Sequence, residues 1–260
     1  MTKLKVTAVS YLNTKPFLYG IFNNQVDRLI DLKLDIPSVC AEKLKSGEAD
    51  LGLVPVAILP ELEAPHIVSD YCIGSLRTVR TVCLFSEKPM DQIEEVYLDY
   101  HSRTSVELIK ILLKKHWNVS PKLIPASIGF EKKIKGSKAA LVIGDRAIEM
   151  QTEFPYSYDL GEAWNDYTGL PFVYAAWVSN QPLDNTFLTL FNEALSIGLE
   201  HIPKLIYLLP SPQPGFDLHN YFTNNISYNF DDNKRKALSR FLMEMNIRIQ
   251  PSLSAGLLTN

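Results

Sequence analysis

The sequence predicts an α/β protein of two lobes around a central cleft, and three observations carry that expectation. Strand-like apolar runs alternate with amphipathic helical patterns, the alternation restarts after residue 86, and the last third reads as helix alone. With 260 residues, 46% of them hydrophobic and 21% charged, the chain can bury one large core or two modest ones.

Strand-like runs fall at 5–10, 32–36, 50–54, 81–85, 96–98, 122–125, 139–143 and 172–178. The first helix is expected to start at Pro16, because proline suits the first helical position and keeps Lys15 out of helical space. Asn13 and Thr14 are then left in the loop after the first strand, which in an open α/β sheet is the ligand edge. A turn residue ahead of Pro16 is the simpler alternative for Asn13. A second helix over 38–46 stops at Gly47, and the strand 50–54 ends at the breaker Pro55, whose loop returns to the same edge.

The stretch 99–108, Asp-Tyr-His-Ser-Arg-Thr-Ser-Val-Glu-Leu, sets hydroxyl groups and a cation where an amphipathic helix begins. Thr104 with Glu107 fits a capping box, and Leu108, Ile109, Leu112 and Leu113 form the apolar face behind it. Free amides of the first turn beside Ser102, Thr104 and Ser105 suit a carboxylate or phosphate. Capping of a surface helix is the alternative. The strand 172–178 is followed by helical patterns at 183–202, 217–224 and 234–246. If the chain crosses out near Ser86 and returns near Trp177, one lobe holds 1–86 and 178–260 and the other is the insert 87–177, joined by two hinge strands.

The bulk properties exclude several function classes. A net charge of −3 without basic clusters argues against nucleic acid but leaves small anions open. Cys40, Cys72 and Cys83 match neither a disulfide framework nor a metal site and read as core thiols. The N-terminal segment enters a strand pattern without a leader-like apolar stretch, and the longest apolar runs, 140–144 and 172–178, are too short to cross a membrane. A cytoplasmic protein without membrane contact is expected. There is no G-x-G-x-x-G, P-loop, G-x-S-x-G or H-E-x-x-H, and the five histidines share no ligand spacing, so neither cofactor nor metal is expected. Chemistry here must run on positioning and hydrogen bonds.

Six blocks then carry a resemblance: Val9-Ser-Tyr-Leu-Asn-Thr-Lys-Pro-Phe17, Gly47-Glu-Ala-Asp-Leu-Gly-Leu-Val-Pro55, Val79-Arg-Thr-Val-Cys-Leu-Phe-Ser86, Ser102-Arg-Thr-Ser105, Ile143-Gly-Asp-Arg-Ala147 and Asp159-Leu-Gly-Glu-Ala-Trp with Thr168-Gly-Leu-Pro-Phe172. In this order they resemble the chorismate dehydratases of the futalosine route to menaquinone, across residues 5–178. The sequence departs from that family's pattern at Arg77 and Thr78, where a Gly-Pro pair is usual, and at Thr81, where serine is expected. Thr81 keeps the hydroxyl while its methyl narrows the pocket.

The resemblance implies a type II periplasmic-binding-protein-like fold and dehydration of chorismate to 3-[(1-carboxyvinyl)oxy]benzoate without cofactor or metal. Within it, Ser102, Arg103, Thr104 and Ser105 are expected to hold one carboxylate of this small dicarboxylate, with Asn13 and Thr81 on its other polar groups. Gly144 and Asp145 close a strand at the cleft. Asp145 is one candidate base and the substrate's own side-chain carboxylate the preferred one; a helix cap is the alternative for Asp145. Trp164, Thr168, Gly169 and Phe172 are expected to wall the pocket, with core packing as their alternative. Two other readings stay open: a non-catalytic carboxylate-binding protein, and the sister enzyme 1,4-dihydroxy-6-naphthoate synthase. Oligomeric state is not legible.

Overall fold

The computed structural model describes residues 3–245, and it folds the alternating pattern into two sheets. β1 (Leu4–Val9) leads through one tight turn into α1 (Lys15–Phe22), with Pro16 in its first turn. After α2 (Val26–Leu29) come β2 (Ile30–Asp35), α3 (Pro37–Lys45) and β3 (Leu51–Pro55). Gly47, at φ +75°, ends α3 in the left-handed conformation that glycine adopts without cost. β4 (His66–Ser75) completes this first pass.

The second sheet is built from β5 (Val82–Ser86), β6 (Glu95–Leu98), β7 (Lys122–Pro125), β8 (Lys138–Ile143) and β9 (Tyr156–Asp159), with α4 (Thr104–Lys115) and α5 (Asp145–Glu149) between them. The chain returns through α6 (Leu160–Thr168) to β10 (Phe172–Ser179). It ends in α7 (Asn185–Glu200), α8 (Ile202–Leu208), the single turn α9 (Leu218–Asn220), β11 (Ser227–Asn229) and α10 (Asp232–Glu244).

The first sheet has the order β11-β4-β10-β3-β1-β2 and the second β7-β6-β8-β5-β9. β1 runs parallel to β2 and β3, while β10 inserts antiparallel between β3 and β4. Every residue of β3 and β10 is buried, which explains why both read as unbroken apolar runs. No described helix is long and apolar enough to cross a membrane.

Three strands were not foreseen. Ser69 and Asp70 break the apolar pattern of β4, yet the Ser69 hydroxyl and the Asp70 amide both donate to Asn192 Oδ1 on α7, at 2.8 and 3.0 Å. β9 and β11 are short edge strands with little periodicity to read. Sheet membership also moves the expected lobe boundaries. Val82–Ser86 pairs with β8 and β9, so it belongs to the second lobe, and Phe172–Ser179 lies inside the first sheet. The crossovers are therefore the segments 76–81 and 160–171, one of them mostly helix, in place of hinge strands near Ser86 and Trp177. Residues 1, 2 and 246–260 of the expected first lobe lie outside the described residues, as does the last residue of the expected helix 234–246.

The C-terminal third supports the ligand edge. A Cβ on Gly20 would lie 1.8 Å from the Ala194 carbonyl oxygen, and one on Gly198 would lie 2.0 Å from that of Pro16, so α1 and α7 touch backbone to backbone. The Tyr228 hydroxyl donates to the Asn13 carbonyl at 2.9 Å. Alanine normally stabilises a helix interior over glycine by about 1 kcal/mol, but here Gly198→Ala is expected to destabilise by about 1–3 kcal/mol through overpacking. Urea unfolding reads the sign, and an unchanged or raised midpoint rules out the close approach.

Candidate active site

A narrow apolar-walled cleft opens between the two sheets. It sits at the carboxyl ends of β1, β3, β4 and β8, where open α/β sheets bind ligands. Val9, Pro37, Pro55, Ile73, Val79, Val82, Ile143 and Ala175 give it apolar walls. Its polar lining is Tyr11, Asn13, Thr81, Ser102, Thr104, Ser105 and Tyr174, with Gly144 at one edge. No carboxylate, imidazole, amine or guanidinium side chain is among these lining residues. Burial raises the pKa of both lining tyrosines, so their hydroxyls stay neutral.

The Ser102–Ser105 end of the cleft is organised by Asp99, whose side chain is fully buried. It accepts the His101 and Ile143 amides, each at 3.0 Å, and pairs with Arg146 at 2.6 Å. Its own carbonyl accepts the Ser102 amide at 3.1 Å. That loop delivers Ser102, whose hydroxyl accepts the Ser105 amide at 3.0 Å and so caps α4.

The expected Thr104–Glu107 capping box does not form. Glu107 pairs with Lys110, and the Thr104 hydroxyl donates to the Tyr174 carbonyl at 2.9 Å while accepting the Ala57 amide at 3.2 Å. Thr104 thus pins α4 to the first lobe. The amides of Arg103 and Thr104 have no protein acceptor among the described residues, and neither does the Ser105 hydroxyl have a protein partner there. These groups, with the free proton of the Ser102 hydroxyl, can donate to an anion.

On the facing wall, Asn13 Oδ1 accepts the Thr14 hydroxyl at 3.2 Å, leaving Nδ2 without a protein partner among the described residues. The Thr81 hydroxyl accepts from Tyr221 at 3.4 Å and lies 3.5 Å from the Val79 carbonyl that takes its proton.

Six expected site residues stand elsewhere. Asp145 is the first residue of α5 and not its cap; both of its oxygens take the Leu12 amide, at 3.1 and 3.2 Å, across the lobes. Burial raises its pKa, but it does not line the cleft. Arg103 lies on the surface, paired with Glu42 at 2.9 Å. Trp164 and Phe172 are core, with ring centroids 5.2 Å apart and Phe241 packed against both, because α6 and β10 bury their apolar sides together. The Thr168 hydroxyl donates back to the Trp164 carbonyl at 2.8 Å, and Gly169, at φ +70°, ends α6.

Tyr11 and His101 were missed as a pair. The Tyr11 hydroxyl is 2.6 Å from His101 Nδ1, joining the lobes, and its ring lies over Gly144, where a Cβ would come within 2.6 Å of it. Gly144 also holds φ +70°, so glycine is required there twice over. Tyr11 stands inside the Ser-Tyr-Leu-Asn block, which is a usable signal, whereas His101 shares no ligand spacing with the other histidines. Among the described residues no cluster of three His, Cys, Asp or Glu side chains forms a metal site.

Burial, helped by the nearby Arg146 charge, holds His101 below its ordinary value of 6.5. The pair's contribution to stability is therefore complete above about pH 6.5 and is lost as pH falls through the window beneath it. His101→Phe is expected to flatten the acid-side decline of Tm; an unchanged slope in that variant assigns the decline to other groups.

Comparison with known proteins agrees with this architecture. A family described as menaquinone biosynthesis matches residues 4–246. A chorismate dehydratase from Thermus thermophilus is 28% identical over 190 residues, covering 65% of this chain and 69% of that one. Two solved structures share the fold. An ABC transporter protein from Parabacteroides distasonis aligns with a TM-score of 0.66 at 16% identity, covering 100% and 99% of the two chains. A Candida albicans protein described as having the generic periplasmic binding protein fold aligns at 0.63 and 12%, covering 99% and 95%. The expected two-lobed, periplasmic-binding-protein-like fold is what the chain adopts.

Proposed function

Because the chain belongs to the menaquinone-biosynthesis family, we propose that it is the enzyme that dehydrates chorismate to 3-[(1-carboxyvinyl)oxy]benzoate. One observation carries the reading: the cleft offers neutral hydrogen-bond donors around apolar walls and no ionisable base of its own beyond two protonated tyrosines. Such a site suits an anionic substrate that brings its own proton acceptor.

In the proposed reaction the ring carbon bearing the enolpyruvyl ether loses its proton, and that C–H electron pair becomes part of the ring π system. The neighbouring C–O bond breaks with its electron pair on oxygen, and the hydroxyl leaves as water once protonated. The ring is then aromatic, so the driving force lies in the substrate. What the protein supplies is stabilisation of negative charge spreading into the conjugated ring carboxylate, through donors already aimed at it. The Thr104 amide and the Ser102 and Ser105 hydroxyls are the donors assigned to one carboxylate. Asn13 Nδ2 and the Thr81 hydroxyl are assigned to the polar groups opposite.

The substrate's side-chain carboxylate, folded over the ring, is the assigned base. Asp145 fits that role less well, since both of its oxygens are engaged by the Leu12 amide and it stands outside the lining. Neutral donors help here, because a Lys or Arg beside that carboxylate would lower its basicity.

Purified protein mixed with chorismate is expected to produce the aromatic enol ether, seen by its absorbance; saturable binding without turnover would favour a carboxylate-binding protein instead. Asn13→Ala and Ser105→Ala are each expected to lower kcat/KM at least tenfold, about 1.4 kcal/mol of transition-state stabilisation. Wild-type kinetics in both would remove these residues from the site. Asp145→Asn is expected to keep most of the kcat, and its loss by several orders of magnitude would make Asp145 the base.

A further inference from the structure

We infer that Asp159 is a positioning residue for the reaction, one half-buried carboxylate that clamps both interlobe crossovers and thereby sets Thr81 at the cleft wall. The inference rests on the assignment of Thr81 to substrate binding made above. Asp159 closes β9 and caps α6: its Oδ1 accepts the Gly161 and Glu162 amides at 2.9 and 3.1 Å. The same carboxylate reaches the other crossover, where Oδ2 accepts the Val79 amide at 3.0 Å and the Arg80 amide at 2.7 Å. Four backbone amides from two segments far apart in sequence thus converge on one side chain.

The outgoing crossover needs that clamp. Arg80 holds φ +66°, a left-handed conformation that an L side chain avoids unless its surroundings impose it. Residues on either side of it, Val79 and Thr81, both line the cleft. The carbonyls of this segment are held as well, Thr78 by Asn225 Nδ2 at 3.2 Å and Arg80 by Gln151 Nε2 at 3.0 Å. At Gly161 a Cβ would lie 2.4 Å from the Arg77 carbonyl oxygen, so α6 starts in direct contact with the outgoing segment. Releasing the Arg80 amide frees the residue to leave the left-handed region, and that rotation turns Thr81 with it.

The test is a double-mutant cycle on turnover of chorismate. Asp159→Asn keeps an acceptor for the α6 cap but sets an NH2 group against the Val79 and Arg80 amides. It is expected to lower kcat/KM at least tenfold in the parent protein and less than threefold in a Thr81→Ala background. Adding Arg80→Gly, which adopts φ +66° without strain, is expected to restore most of the loss. A purely structural role lowers kcat/KM by the same factor in both backgrounds, and that result overturns the inference. Should Asp159→Asn fail to fold, Gln151→Ala loosens the same segment more gently and is expected to give a smaller loss that also vanishes with Thr81→Ala; equal losses again overturn it. A parent protein that does not turn over chorismate overturns the proposed function instead, so the two failures are separable.

Discussion

The cleft depends on a carboxylate that never enters it. Asp99, fully buried, is satisfied by two backbone amides and the Arg146 guanidinium, and Arg146 is itself tied to Glu131 at 2.5 Å and lies over the rings of Tyr100 and Phe130. A buried charge left unpaired is strongly destabilising, so this constellation stands or falls as a unit. Through it the loop 99–102, the start of α4 and the end of β8 are fixed to one another, which sets the Ser102 and Ser105 hydroxyls across from Gly144. Formal charges stand one layer back, and the polar lining of the cleft is amides and hydroxyls. In the reaction proposed above, that layering would let the site hold an anion without quenching its basicity.

The lobes are also stitched across the cleft. Leu12 to Asp145, Tyr11 to His101, Ala57 to Thr104 and Arg103 to Glu42 each join residues of the first lobe to residues of the second. These four contacts hold the lobes together across the cleft in the described arrangement.

Much of this was legible in the residues. β3, β8 and β10 announced themselves as apolar runs because nearly all of their residues are buried, β1 showed a strand-like pattern whose last four residues are buried, and Pro16 placed α1 to within a residue. Asn13, Thr81, Ser102, Thr104, Ser105 and Gly144 were expected at the cleft and do line it. What failed was what depends on partners distant in sequence. Thr104 looked like half of a capping box, and nothing nearby reveals that its hydroxyl is taken by Tyr174 and Ala57. Trp164 and Phe172 looked like pocket walls, and the packing of α6 and α10 against β10 makes them core. β4 was hidden because Ser69 and Asp70 within it are satisfied by a helix more than a hundred positions later.

The first lobe is interrupted, and that has a consequence for how the molecule is made. Its sheet contains strands from both ends of the chain, with β10 inserted between β3 and β4, so β1 to β4 leave the ribosome without the neighbour that joins them. The second sheet, by contrast, closes on the contiguous stretch from β5 to β9. Vectorial synthesis therefore allows the inserted lobe to fold first, while the N-terminal strands wait with an open edge exposed to aggregation. Both crossovers and the cleft are then assembled late, around a finished lobe that serves as their template.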